Sequence, residues 1–119
     1  MALLVQLIDG VVGNKFTLDK QLHTIGRHPQ NEIFLDDVAV SVKHAVIEAR
    51  ENSYLDGYCD FTLKDLGSTN GTFVNDERIT EQKLVNGDLV RIVWNTFRFI
   101  DDNEMDLEKT TQILMGSTF

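Results

Sequence analysis

Along this chain the apolar residues come in short runs that alternate with polar ones, and turn chemistry separates one run from the next. Leu3 to Ile8 is the first run, and Asp9-Gly10 and Gly13-Asn14 then lead into Lys15-Phe16-Thr17-Leu18, which predicts a hairpin. Leu22-His23-Thr24-Ile25 predicts the next strand, broken by Gly26-Arg27-His28-Pro29-Gln30-Asn31 with the chain's only proline. Glu32-Ile33-Phe34-Leu35 follows, Asp36-Asp37 turns the chain, Val38 to Lys43 reads as a loop, and His44 to Arg50 reads as a buried strand. Asn52 to Gly57 marks another turn. Phe61, Leu63 and Leu66 then alternate with Thr62, Lys64 and Asp65 on the way into a polar loop, and Thr72-Phe73-Val74 leads out of it. Glu77-Arg78-Ile79 and Lys83-Leu84 are short edge pieces. Beyond the Asn86-Gly87-Asp88 turn, Leu89 to Trp94 is expected to pair with Phe97 to Ile100. No stretch before residue 104 sustains a helical period, so the pattern favours an all-β sandwich over a parallel α/β sheet.

Composition narrows the reading. A chain of 119 residues is one domain by length, and at that size roughly two-thirds of the unfolded surface is buried without staples. Cys59 is the only cysteine, which excludes an internal disulfide and a four-cysteine zinc site; it is expected as a small packing residue. Met1 to Ile8 has no basic stretch before it and no membrane-spanning length, so it reads as a strand of a soluble, cytoplasmic-type domain. Nineteen acidic residues against eleven basic ones give a net charge of -8, which opposes general nucleic-acid binding, and no membrane partner is expected either; an anion would have to be caught locally. His23 and His28 have no carboxylate or thiol at ligand spacing, so no metal site and no cofactor are expected. Neither a Gly-x-Ser-x-Gly elbow nor a phosphate-gripping loop ending in Lys-Ser or Lys-Thr is present, and a non-enzymatic role follows.

The polar loop Gly67-Ser68-Thr69-Asn70-Gly71 carries more donor chemistry than a turn requires, although Asn70-Gly71 alone would read as an ordinary hairpin tip. Two other loops share its character: Gly26-Arg27 ends one strand, and Ser41-Val42-Lys43-His44 opens another. The ordered set Gly-Arg, Ser-x-x-His and Ser-Thr-Asn-Gly-Thr-x-Val-Asn resembles the forkhead-associated (FHA) family from about Ile25 to Asn75, with the Asn86-Gly87-Asp88 turn extending the match toward residue 100. The resemblance implies an FHA-type β-sandwich of about eleven mostly antiparallel strands. It would occupy residues 1–101 and leave 102–119 as an acidic C-terminal tail, unfolded or a short helix. It also implies a module that binds phosphothreonine in extended peptides through loops at one end of the sandwich, within Ser/Thr kinase signalling and without catalysis.

A threonine phosphate offers nearly two negative charges and three acceptor oxygens, so it suits one fixed guanidinium surrounded by neutral donors. By the resemblance Arg27 is that guanidinium, Ser41 and Thr69 add donors, and Asn70 holds the peptide main chain. Ala39, Val40, Val42, Lys43 and Ser68 are the expected secondary or selectivity positions. Gly26, His44, Gly67, Gly71 and Asn75 are expected to be structural, with His44 a hydrogen-bonding brace beneath the loops and Asn75 a tie between loops. The family often has a basic or polar residue after the serine, and Val42 departs from that. Val42 therefore keeps a phosphate-independent scaffold reading open, and a regulatory domain that binds a folded catalytic partner is a third. Val38, Ala39 and Val40 bring no cation, so an apolar residue is expected three places after the phosphothreonine. The expected partners are a phosphothreonine protein and a Ser/Thr kinase. In the tail, Thr110 and Thr111 stand in an acidic context with Ile113 and Leu114 three places on, which makes them candidate phosphosites and self-association through the tail an expectation. Trp94, Phe97 and Phe99 are expected in core or cross-strand packing, and Asp36-Asp37 and Asp101-Asp102 in solvated turns.

Overall fold

The computed structural model describes residues 1–54 and 58–102. Eleven strands are present among the described residues: β1 (Ala2–Ile8), β2 (Val11–Thr17), β3 (Leu22–Gly26), β4 (Ile33–Phe34), β5 (Ala45–Glu51), β6 (Cys59–Asp65), β7 (Thr72–Val74), β8 (Glu77–Ile79), β9 (Glu81–Lys83), β10 (Leu89–Ile92) and β11 (Asn95–Asp101). They form a six-stranded sheet in the order β2-β1-β11-β10-β7-β8 and a five-stranded sheet in the order β4-β3-β5-β6-β9. Among the described strands only β3 and β4 pair in parallel.

Period-two burial makes the core. Along β11, Phe97, Phe99 and Asp101 face inward while Arg98 is exposed. Leu4, Val90, Ile92 and Val74 join the two phenylalanines from one sheet, and Ile25, Ile33, Ala45, Ile47, Phe61 and Leu63 meet them from the other. Phe61 and Phe99 pack across the interface with ring centroids 5.6 Å apart and tilted by 57°.

Three expectations differ from what the strands do. Trp94 is not a packing residue: β10 ends at Ile92, and the indole stands 87% exposed at the tip of a two-residue hairpin. Cys59 is exposed at the start of β6, where it pairs with Glu51 at the end of β5. Asp101 closes β11 with its side chain buried, because strand alternation continues one residue further than the apolar run did. The Asn52–Gly57 turn lies partly, and the tail from residue 103 wholly, outside the described residues.

The topology gives the sandwich two distinct ends. The carboxyl ends of β3, β6 and β10 and the amino ends of β5, β7 and β11 meet at one end, bringing residues 27–32, 35–44, 66–71 and 93–94 together. Met1, Leu18 to Gln21, Glu51, Cys59 and Asp101 line a depression at the opposite end.

Candidate functional site

The geometry of the loop end starts at Gly26. A Cβ there would lie 2.1 Å from the Val42 carbonyl oxygen and 2.8 Å from Asn31 Nδ2, so only glycine lets the segment between β4 and β5 pass this closely. The contact is then stitched. The Arg27 amide donates to the Ser41 carbonyl at 3.0 Å, and Asn31 Nδ2 donates to the carbonyls of Val42 at 2.9 Å and His28 at 2.8 Å. The Arg27 side chain is itself anchored, since its Nε donates to the Val40 carbonyl at 3.0 Å. That single bond fixes the guanidinium plane while its two Nη groups remain available to an outside acceptor, the arrangement that a bidentate anion contact needs.

His44 ties the second loop to the third. Its Nδ1 accepts from the Ser41 amide at 3.1 Å, so that nitrogen carries no proton, and Nε2 is the donor to the Gly71 carbonyl at 2.8 Å. The ring is wholly buried and the His44 amide donates to Ile25 O. Histidine serves here as a neutral strut with one tautomer, holding Ser41 at a set height over Gly71.

The third loop is built on Asp65, the last residue of β6. Its carboxylate accepts from the amides of Gly67 and Ser68, each at 3.0 Å, from Ser68 Oγ, and from Thr72 Oγ1 at 2.7 Å. Burial alone would raise this carboxyl, but the hydrogen bonds from the Ser68 and Thr72 hydroxyls and the two amides together hold it below its ordinary value. Ser68 Oγ also accepts from the Gly71 amide at 3.0 Å, and Gly67 and Gly71 take φ of +77° and +88°, closing the loop where other residues would strain.

With these supports in place, Ser41 and the third loop touch directly. The Thr69 amide donates to Ser41 Oγ at 3.2 Å, leaving the Ser41 hydroxyl hydrogen free to point outward. Asn70 Nδ2 donates to the Ala39 carbonyl at 2.7 Å, which orients its amide oxygen. Arg27, Ser41, Thr69 and Asn70 thus lie on three loops cross-linked into one surface. Among the secondary positions, Val42 is 44% exposed and Lys43 is exposed, and Ala39 is half-buried. Val40 is different: its side chain is 1% exposed in the core and only its carbonyl reaches the site, under Arg27. Ser68 likewise turns its hydroxyl onto Asp65, so it shapes the loop from beneath. Asn75 sits away from this surface at the other end of β7, with φ of +50°; its Oδ1 accepts from the Leu89 amide and its Nδ2 donates to Asp88.

Asp65 and Asn31 are the supports that sequence reasoning missed. An acidic residue two and three places before the Gly67 and Ser68 amides is the signature of an Asx-turn and could have marked Asp65. Asn31 offered no comparable signal, because its partner Val42 is distant in the chain.

Comparison with known proteins agrees with this fold. The family model described as the FHA domain matches residues 23–93. The glycogen accumulation regulator GarA of Mycobacterium tuberculosis is 43% identical over 91 residues, which is 76% of this chain and 52% of that protein. The oxoglutarate dehydrogenase inhibitor of Corynebacterium efficiens is 43% identical over 91 residues, 76% of this chain and 59% of its own length. The chain therefore spans about half the length of the curated relatives it matches. A structure solved in a study of phosphothreonine-dependent FHA domain interactions superimposes with a TM-score of 0.70 at 32% identity, covering 85% of this chain and 97% of that one.

Proposed function

From a chain that belongs to the forkhead-associated domain family, we propose a phosphothreonine reader in which Arg27, Ser41, Thr69 and Asn70 grip one phosphorylated threonine and its main chain. The observation that carries this is the anchoring of Arg27: with Nε held by the Val40 carbonyl, the guanidinium is oriented in advance and loses little freedom when an anion arrives. Ser41 and Thr69, joined at 3.2 Å, place neutral donors beside it. The 32%-identical neighbour studied for phosphothreonine-dependent interactions supports the same ligand class. The relatives named as a regulator and an inhibitor support a non-catalytic, regulatory role exerted on a partner protein. We read the domain as acting in the cytoplasm; no helix among the described residues is long and apolar enough to cross a membrane.

The reading extends to the chain's own threonines. Thr110 and Thr111 lie outside the described residues, and we take them as sites at which a Ser/Thr kinase would create a ligand for this same surface. Val42, exposed where the family often has a polar residue, supports the competing phosphate-independent scaffold reading.

One experiment separates the two. A threonine peptide titrated by calorimetry with and without its phosphate is expected to bind only when phosphorylated, and Arg27→Ala should cost about 2 to 4 kcal/mol of that binding with little change in folding. Equal binding of both peptides, or unaltered affinity in a folded Arg27→Ala variant, would remove the assignment.

A further inference from the structure

Charge is distributed unequally between the two outer faces of the sandwich. On the five-stranded sheet the outward positions carry both signs and pair them: Lys64 Nζ lies 2.8 Å from Glu48 and 3.3 Å from Glu81, Lys83 lies 3.0 Å from Asp60, and Arg50 meets Glu48. Those charges cancel within the face. The six-stranded sheet is different. Its cross-strand register sets Lys15, Val5, Arg98 and Leu89 in one outward row, and Thr96, Arg91, Phe73 and Arg78 in the next. Four of the chain's eleven basic residues therefore stand on one face of a molecule whose net charge is -8. No outward strand position of that sheet holds a carboxylate. Among the described residues, none of the four cations is ion-paired.

Neutral groups hold these cations in place. Arg98 Nη1 donates to the Gly87 carbonyl at 2.7 Å. Arg91 Nη1 donates to the Val93 carbonyl at 3.3 Å, and its guanidinium carbon lies 4.1 Å from the centroid of the Phe73 ring. Arg78 follows Phe73 in the same row, and its Nε lies so near Gly71 that a Cβ there would meet it at 2.9 Å. A carbonyl or a ring fixes where a cation sits without neutralising it. Val5, between Lys15 and Arg98, is 7% exposed although it faces outward, as expected where the aliphatic stems of its row neighbours lie over it and carry their charged ends to the surface.

We propose that the outer face of the six-stranded sheet is a second docking surface, and that its occupant is an acidic, apolar-studded surface of a partner protein. The inference is independent of the phosphothreonine reading, since it uses none of the residues assigned to the phosphate. Cations that the fold leaves uncompensated favour an anionic partner. A protein suits the face better than nucleic acid or anionic lipid. Both of those extend their negative charge past the patch, where they would meet exposed Asp9, Asp76 and Asp102 at the ends of the same strands. A phenylalanine between two arginines in one row, with a third arginine in the row beside it, also brings together the residue types that protein interfaces concentrate.

The test uses the full chain, isotope-labelled for NMR, and a short peptide that alternates glutamate and leucine, with a lysine–leucine peptide of the same length as control. The acidic peptide is expected to move the amide resonances of Arg98, Arg91, Phe73 and Arg78 and to leave those of Thr69 and Asn70 in place, while the basic peptide moves neither. Lys15→Glu combined with Arg98→Glu, both at exposed positions, should weaken the acidic peptide about tenfold, and added salt should weaken it for wild type too. The Lys15→Gln, Arg98→Gln pair, which removes charge without reversing it, should lie between. A phosphothreonine peptide should bind wild type and both variants alike, so that failure of either surface is read separately. Shifts confined to the Arg27, Ser41 and Thr69 loops, or none at all, would overturn the proposal. So would tighter binding of duplex DNA or of phosphatidylserine vesicles to the same face. Two outcomes without peptide would overturn it by naming another occupant. Resonances of residues 104–108 that move when Lys15 and Arg98 are reversed would give the face to the chain's own acidic segment. A mass that rises with concentration in unphosphorylated wild type, and not in the charge-reversed pair, would give it to a second copy.

Discussion

Asp65 shows how much a loop can depend on one carboxylate. Two amides and two hydroxyls donate to it, from Gly67, Ser68 and Thr72, so the conformation that presents Thr69 and Asn70 is fixed from below by a carboxylate engaged by the loop's own donors. Asp65→Asn keeps the shape but puts an NH2 group against donors, and it should destabilise the fold by about 1 to 3 kcal/mol, read as a lower urea midpoint. Phosphopeptide affinity should fall with it. The same carboxyl gives a dependence on pH. Its folded value lies below the ordinary 3.8, so the unfolded chain takes up the proton first as the solution is acidified. The stabilisation is complete above that ordinary value and disappears as pH falls through the lower folded one. Urea midpoints of the wild type should therefore drop below about pH 4 more steeply than those of Asp65→Asn, whose side chain does not titrate. Parallel acid profiles would show that Asp65 does not carry this dependence.

Between elements, the close approach of β3 to the segment that follows β4 governs the site. Gly26→Ala would drive a methyl group to 2.1 Å from Val42 O, a backbone atom that cannot swing aside as a side chain could. The whole Ser41–His44 segment must move. We expect a variant that folds with about 1 to 3 kcal/mol less stability and loses phosphopeptide affinity beyond what the melting temperature implies, measured by a thermal scan beside calorimetry. A melting temperature and affinity equal to wild type would mean that this contact yields without consequence. The core strands were legible because they bury one face, and alternation at Phe97 and Phe99 or at Phe61 and Leu63 leaves one register. The three loops were legible as a set, since glycine, hydroxyl and amide residues have few other reasons to cluster. What the sequence concealed were long-range facts: the apolar run through Trp94 continued past the strand's end, with no glycine or asparagine to mark a turn that Val93 makes at positive φ. Val40 was concealed likewise, since a valine in a loop gives no sign that its side chain enters the core and only its carbonyl serves Arg27.

At the scale of the molecule, the question is where a phosphorylated tail could go. β11 begins at the loop end, where Asn95 meets Asp37, and finishes at the opposite end, where Asp101 lies among Met1, Lys20 and Cys59. The chain therefore leaves β11 at the end opposite the Arg27, Ser41 and Thr69 loops. From Asp102 to Thr110 is eight residues, a reach of at most roughly 28 Å when fully extended. β11 alone has seven residues, so roughly 23 Å of strand must be retraced, and the loops stand further still. Closure within one molecule would need the whole segment drawn taut and would leave little chain for Thr110 to turn into the site, whereas a neighbouring molecule imposes no such limit. Contacts between a tail and the next molecule's loops are heterologous, giving a ring if the rotation closes and an open chain if it does not. After phosphorylation on Thr110 or Thr111 by a Ser/Thr kinase, the mass seen by light scattering should rise with concentration and return to the monomer when excess phosphothreonine peptide is added. A Thr110→Ala, Thr111→Ala double variant treated alike should stay monomeric, and so should phosphorylated Arg27→Ala. Phosphorylated wild type that remains monomeric but binds external peptide more weakly would show closure within one molecule, against the geometry of the exit. Monomer with unaltered peptide affinity would show that the tail does not visit the site at all.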